Sequence, residues 1–283
     1  MGEKATSAPP TPSPLQKVIE TYLQDEAWLL SHFTFVADVT TLASQCDVAH
    51  SPGMSVASCR ALPHHVLSFL GEAPDLLQNY VGFLLQPGTQ AYFLVNETQR
   101  AIVEQALPVL EIVPEWQMVF RGTVEALPVM QSVTTLEPRH LAAMRELGQL
   151  CGLLMMERDP LERGPAVGVF VGDTLVAMAT TRLQIPGAAE IGNVATHPDY
   201  RRRGYGKAVL SALVRRLWDP HRLIFALIHQ TSLEAIALAE QLGFAKARPM
   251  YLMRCLIPES CAMEPETSEA SSQEASASQL KED

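Results

Sequence analysis

Several things are scarce in this chain of 283 residues. Its five cysteines, Cys46, Cys59, Cys151, Cys255 and Cys261, are widely scattered and include no C-x-x-C. That pattern argues against a disulfide scaffold or a zinc ribbon and fits a reducing intracellular compartment. No uninterrupted apolar run approaches the ~18 residues that a bilayer span needs. The opening MGEKATSAPPTPSP also lacks the apolar core of a signal peptide. The expectation is a soluble, cytoplasmic protein with no membrane partner. Basic charge is scarce too: 21 Lys and Arg stand against 31 Asp and Glu, a formal net charge of -10. General nucleic-acid binders carry a basic excess, so no nucleic-acid partner is expected.

What is present is the composition of a folded globular protein, 47% hydrophobic and 18% charged. The length suits one large domain or two modest ones. Residues 1–14, rich in Pro, Ser and Thr, and the Ser/Glu/Ala-rich acidic tail 258–283 hold too few large apolar side chains to repay the entropy of ordering. Between them the chain divides into an α/β half over 15–122 and a second half over 125–257. In the first, Leu15, Val18, Ile19, Tyr22 and Leu23 predict a helix running on through Leu30, and a second helix is expected over 74–85. A strand over 91–96, a helix over 98–107 and a strand over 116–121 follow.

The second half alternates more clearly. Strands are expected at 133–138, 166–171, 174–183, 190–196, 223–228 and 250–256, with helices over 138–150, 204–218 and 232–242. Gly172-Asp173 reads as a hairpin turn. This order predicts an α/β fold with a mixed sheet flanked by helices. Residues 92–121 and 224–254 share a strand, helix, strand rhythm, so the first half is a candidate degenerate copy of the second.

The informative stretch is HPDYRRRGYGKAVLSALVRRLW, residues 197–218. A strand ending at Thr196 passes through a polar turn into a helix starting near Gly204. Such a helix start leaves backbone N–H groups without internal partners, and the macrodipole adds positive potential. Gly204 and Gly206 let a phosphate approach the backbone, and Arg201, Arg202 and Arg203 add charge. The turn is therefore either a pyrophosphate cradle or a basic turn capping an amphipathic helix. It is not a Walker A loop, since Ala208 follows Lys207, and not G-x-G-x-x-G, since the third glycine position holds Val209.

In its surroundings this stretch resembles the GNAT superfamily of acyl-CoA-dependent N-acyltransferases. NVATHPDYRRRGYGKAVLSAL matches that family's strand, turn and [QR]-x-x-G-x-[GA] helix start, and SLEAIALAEQLGF, residues 232–244, matches its next helix. The resemblance covers about residues 125–257. It implies a GNAT-type mixed sheet, acetyl-CoA as co-substrate with no metal, and direct transfer of the acetyl group to a primary amine in a ternary complex. The acceptor would be a small molecule, a peptide or a protein amine. By position it implies that Arg201 to Gly206, with Tyr205 and Lys207 in the same turn, hold the diphosphate. It also implies that Val194, Ala195 and Thr196, on a bulged strand, pair with the pantetheine arm, and Ser232 stands where the family often has asparagine.

An amine must lose a proton during transfer. The resemblance puts Glu190, eleven residues before Arg201, first as base. On an ideal strand it shares a face with Gly192 and Val194 and would point toward the thioester. His229, ending the next strand, is the second candidate base, while Cys151 reads as a core residue after an apolar helix. Many family members protonate the leaving thiolate with a tyrosine where this chain has Ala239; Tyr251 or a water would substitute. That departure keeps an alternative open, a catalytically weak acyl-CoA-binding or regulatory protein.

Overall fold

The computed structural model describes residues 19–259 apart from positions 22, 24, 61–63, 130, 131, 154, 155 and 158. The expected unstructured segment 1–14, residues 15–18 of the first expected helix, and nearly all of the acidic tail lie outside the described residues. Asp25 interrupts the helix expected to run through Leu30. It is extended, with φ -85 and ψ 105, and accepts the Trp28 backbone N–H at 3.0 Å. As an N-cap it starts a new helix, α1 (Glu26–Val39), which outlasts the prediction by nine residues.

Three strands follow that were not expected from the sequence: β1 (Cys46–Ser51), β2 (Met54–Cys59) and β3 (His65–Gly71). Then come α2 (Pro74–Leu84), β4 (Gln90–Val95), α3 (Glu97–Ala106) and β5 (Val109–Phe120). A reciprocal pair of bonds between Asn96 and Gln99 opens α3 as a capping box. The second half contributes β6 (Val133–Thr135), α4 (Leu141–Leu150), β7 (Ala166–Val171), β8 (Thr174–Ile185) and β9 (Ala188–Thr196). It ends with α5 (Tyr205–Leu217), β10 (Leu223–His229), α6 (Leu233–Gln241) and β11 (Phe244–Leu256). β5 and β11 start earlier than predicted, because Val109 to Glu115 and Phe244 to Pro249 carry charged and proline residues that mute the apolar pattern.

All these strands join one 11-stranded sheet in the order β1-β2-β3-β4-β11-β5-β10-β9-β8-β7-β6. Neighbours are antiparallel except for two parallel pairs, β3 with β4 and β9 with β10. The halves repeat one order: helix, hairpin, third strand, helix, parallel fourth strand, helix, last strand. Their last strands are exchanged. β5, which closes the first half, lies against β10 of the second, and β11 lies against β4 of the first. The two exchanged strands pair with each other along most of their length.

Alternation along the strands divides the core into two layers. On one face α2 and α3 pack Leu77, Val81 and Val103 on Leu67, Phe69 and Phe93, while α5 and α6 pack Val209, Leu213 and Ile236 on Val176, Ile191 and Ile224. On the other, α4 sets Met144 and Leu147 against Met178 and Ala195. There α1 crosses the seam between the halves, with Phe33 edge-on to Phe225 at 4.7 Å. Under α1 lies a buried polar group. Asp38, 1% exposed, accepts the Ser68 hydroxyl at 2.6 Å, and Cys46 faces Cys59 directly across β1 and β2. The ligand atoms of Asp38, Cys46 and Cys59 lie within 4.8 Å of one another. Burial pushes the Asp38 carboxyl up to about 8.

Candidate active site

The site begins where β9 and β10 part. They pair only from Ala188 to Ile191 against Leu223 to Ala226, while β9 runs on to Thr196 and β10 to His229. β10 stays paired with β5 through His229, so the gap opens on its β9 side. The divergence has a local cause. The β8–β9 register slips between Met178 and Thr180, opposite Gly192 to Ala195, and Asn193 adopts φ 49. This is a β-bulge, which bends the strand and re-aims its side chains. The Asn193 amide fixes it by donating to Glu157 at 2.8 Å and to the Thr180 hydroxyl at 2.9 Å. The expected bulge is therefore present: Val194 is exposed, Ala195 is buried on the α4 side, and Thr196 leads to the turn.

The turn ends at the start of α5. Gly204 is the N-cap with φ 83, a left-handed conformation suited to glycine, and no side chain caps the helix. Arg202 is also left-handed, with φ 63. Alternation of this kind turns successive N–H groups into a concave anion-binding nest. A Cβ on Gly204 would meet open space, and one on Gly206 would lie 3.2 Å from the Thr196 hydroxyl. Tyr205, Gly206 and Lys207 form the first helical turn. The arginines are exposed and separately directed. Arg201 reaches the Thr196 carbonyl at 3.3 Å, Arg202 pairs with Glu234 at 3.4 Å, and Arg203 lies over the Tyr200 ring while donating to the Asp199 carbonyl. Ser232 precedes α6 and makes no capping bond. Cys151, half-buried at the end of α4, donates its thiol to the Thr196 carbonyl at 3.5 Å.

The proton-handling candidates fare differently. Glu190 does not open onto the cleft as expected. It is 2% exposed and held by Arg182 at 2.7 Å, and its other oxygen has no hydrogen-bond partner among the described residues. The β8 register slips again between Thr181 and Leu183, so Arg182 is an extra residue beside Gly192 and leans onto Glu190. Glu157 and Arg163 extend this buried charge network. Burial raises the Glu190 carboxyl above its usual value, against the Arg182 guanidinium, which lowers it. The bulged Arg182 thus encloses the carboxylate that was expected to open onto the cleft.

Tyr251 is also misplaced by the sequence reading. On β11 it pairs with Val95 and Pro114, inside the first half, and its ring lies under the Arg100 guanidinium at 4.7 Å. β11 is separated from β10 by β5, and at about 4.8 Å per strand it stands roughly 10 Å from the near edge of the cleft. Ala239 is buried in the core, so α6 offers no hydroxyl at that position. His229 does sit at the mouth of the gap. Its imidazole is half-exposed, and its Nε2 lies 3.2 Å from the Glu115 carboxylate on β5. Glu115 belongs to the exchanged strand, and the sequence reading missed it. The shared rhythm of 92–121 and 224–254 was the one available signal, since it marks β5 and β11 as equivalent.

The first half has a similar gap. β3 and β4 pair from His65 to Leu67 only, although β3 runs to Gly71. There, however, the Gln99 side chain enters and donates to the Phe69 carbonyl at 2.9 Å. The following helix opens with Glu72 and Asp75 flanking Ala73-Pro74, where an anion would be repelled.

A mixed sheet with a splayed parallel pair, ending at an uncapped, arginine-lined helix start, defines an α/β protein with a cleft between two of its strands. Residues 129–244 match the model of the Acetyltransferase (GNAT) family. A stretch of 93 residues is 34% identical to a mycothiol acetyltransferase of Streptosporangium roseum, covering 33% of this chain but 27% of that relative. The match thus spans about a quarter of the relative's length. The fold is shared with a GNAT-family protein from Novosphingobium aromaticivorans (TM-score 0.62, 20% identity, 80% of this chain and 96% of that one). A GCN5-related N-acetyltransferase from Kribbella flavida gives a TM-score of 0.58 at 12% identity over 80% of this chain and 95% of its own. Both likenesses extend beyond residues 129–244, so the two-half architecture is part of the shared fold.

Proposed function

We propose that the chain is an N-acetyltransferase that moves an acetyl group from acetyl-CoA to a primary amine by direct attack in a ternary complex. The carrying observation is the gap between β9 and β10, ending at the uncapped N-terminus of α5. In this reading the N–H groups of Gly204 to Lys207 and the side chains of Arg201 to Arg203 receive the CoA diphosphate. The edge of β9 at Val194, Ala195 and Thr196 lines the pantetheine arm, and an amide there polarises the thioester carbonyl. Acetyl-CoA supplies a good thiolate leaving group. His229, accessible where Glu190 is enclosed, accepts the proton that the amine nitrogen gives up as the N–C bond forms and the C–S bond breaks. Glu190 then serves the framework, tying β9 to the bulged Arg182 of β8. The first half is read as a degenerate copy whose cleft is plugged by Gln99 and whose β5 completes the working half.

The test is acetyl-CoA binding by calorimetry, followed by CoA release with a thiol reagent across a panel of small amines and peptides. Binding with amine-dependent release is expected. The second reading, an acyl-CoA-binding regulatory protein, is favoured by one observation, the buried Ala239 where a thiolate-protonating hydroxyl is common. Tight binding with no release to any amine would establish that reading instead. Absence of acetyl-CoA binding would refute both.

A further inference from the structure

We propose that Glu115, donated by the first half of the chain, is the positioning residue for the base of the second half, His229. This inference rests on the acetyltransferase reading and deepens it. The strand exchange places β5 against β10, and the pairing puts Glu115 directly opposite His229. Glu115 is 7% exposed, so its carboxylate is held in one place, and it meets the imidazole Nε2 at 3.2 Å. A carboxylate only accepts hydrogen bonds, so in the neutral imidazole the proton sits on Nε2 and the lone pair on Nδ1. Nδ1 is then the atom that takes a proton from an incoming amine. The Glu115 carboxylate stabilises the imidazolium that results, as the carboxylate of a hydrolytic triad does with the two ring nitrogens in exchanged roles.

The remaining charges near the pair come from other strands. Arg182 on β8 and Glu190 on β9 both feel Glu115 electrostatically, but they form an ion pair with each other and largely cancel at that distance. Gln230 donates its side-chain amide to the Glu115 backbone carbonyl and so fixes the strand without changing its charge. Among the described residues, Glu115 therefore dominates the electrostatics at His229. The hydrogen bond to Glu115 accordingly raises the His229 imidazole above its ordinary value, against partial desolvation.

The test uses the full chain and Glu115→Gln and Glu115→Asp variants. Acetyl-CoA binding by calorimetry checks folding and is expected to be unchanged in both. In Glu115→Gln, kcat should fall by about tenfold or more with KM for acetyl-CoA unaltered. The acid limb of the pH profile should move to lower pH, because the imidazolium loses its carboxylate. Glu115→Asp should recover part of the loss. Imidazole nitrogen NMR, assigned with His229→Ala, reads the tautomer without turnover and should find Nε2–H in the unmodified protein. An active enzyme whose pH profile and His229 titration ignore Glu115→Gln, or a His229 protonated on Nδ1, overturns this proposal alone. Failure of every amine to react sinks the acetyltransferase reading, and this proposal with it.

Discussion

Replacing Asp38 by Asn should stabilise the protein at pH 8, and the sign follows from burial. Asp38 is 1% exposed beneath α1, with a Ser68 hydroxyl and two thiols around it, and its carboxyl is pushed from 3.8 up to about 8. A carboxyl raised on folding is protonated in the folded chain but ionised in the unfolded chain between those two values. The unfolded state then binds fewer protons, so the contribution of Asp38 to stability is greatest below about pH 4, declines as pH rises toward 8, and levels off above it. At 1.36 kcal/mol per pH unit the gap of about four units sets a ceiling of about 6 kcal/mol. Relaxation around the charge should leave an effect on the order of 3 kcal/mol. Asparagine keeps an oxygen for Ser68 and removes the titration. Urea unfolding of both proteins from pH 5 to 8.5 should give a falling curve for the unmodified chain and a flatter one for Asp38→Asn, crossing near the acid end. If the unmodified protein were the more stable at pH 8, the carboxylate would be ionised there and balanced by a cation among Asp38, Cys46 and Cys59. The burial argument would then be wrong.

Other outcomes are equally definite. Gly204→Val forces a β-branched residue to φ 83, and Gly206→Val crowds Thr196; together they should cut acetyl-CoA affinity by more than tenfold in calorimetry. Unchanged affinity would remove the turn from the site. Arg182→Met should cost roughly 3–5 kcal/mol in urea unfolding, since it leaves Glu190 buried without its cation, while Glu157 keeps Arg163 and Asn193. Glu190→Gln should cost less and retain some activity, whereas complete inactivity with full acetyl-CoA binding would return Glu190 to the role of base. Residues 125–257 expressed alone should be insoluble or poorly folded, because β10 and β11 both lose β5; a folded, active fragment would contradict the exchange.

The second half was legible because its helices carry one apolar face and its turn carries unusual residues together. Gly204 and the arginines announce an anion site without any tertiary information. Strands β1 and β2 were not legible, since CDVAHS and MSVASC are built from small and weakly apolar residues, whereas β3, HVLSFLG, is apolar enough to read as a strand and was overlooked. β2 is buried along its whole length, which erases alternation. The enclosure of Glu190 was not legible for a related reason. Its partner Arg182 is an extra residue in β8, and where a bulge sets its side chain is decided by pairing rather than by the period of two. Tyr251 and Glu115 were missed because strand order is decided by partners far away in sequence. Nothing in MYLMRCL or PEWQMVF says which half it will join.

The exchange also has a consequence for synthesis. β11 occupies residues 244–256 yet lies near the middle of the sheet, between β4 and β5. While the chain emerges from the ribosome, the first half must wait with β4 and β5 unjoined until residues 244–256 have been made. During that interval two strand edges stand open to any passing chain, the arrangement most prone to mispairing. An acidic chain repels its own copies, and the residues made before β11 already carry more acidic than basic side chains, which offers the nascent protein that protection while its centre strand is missing.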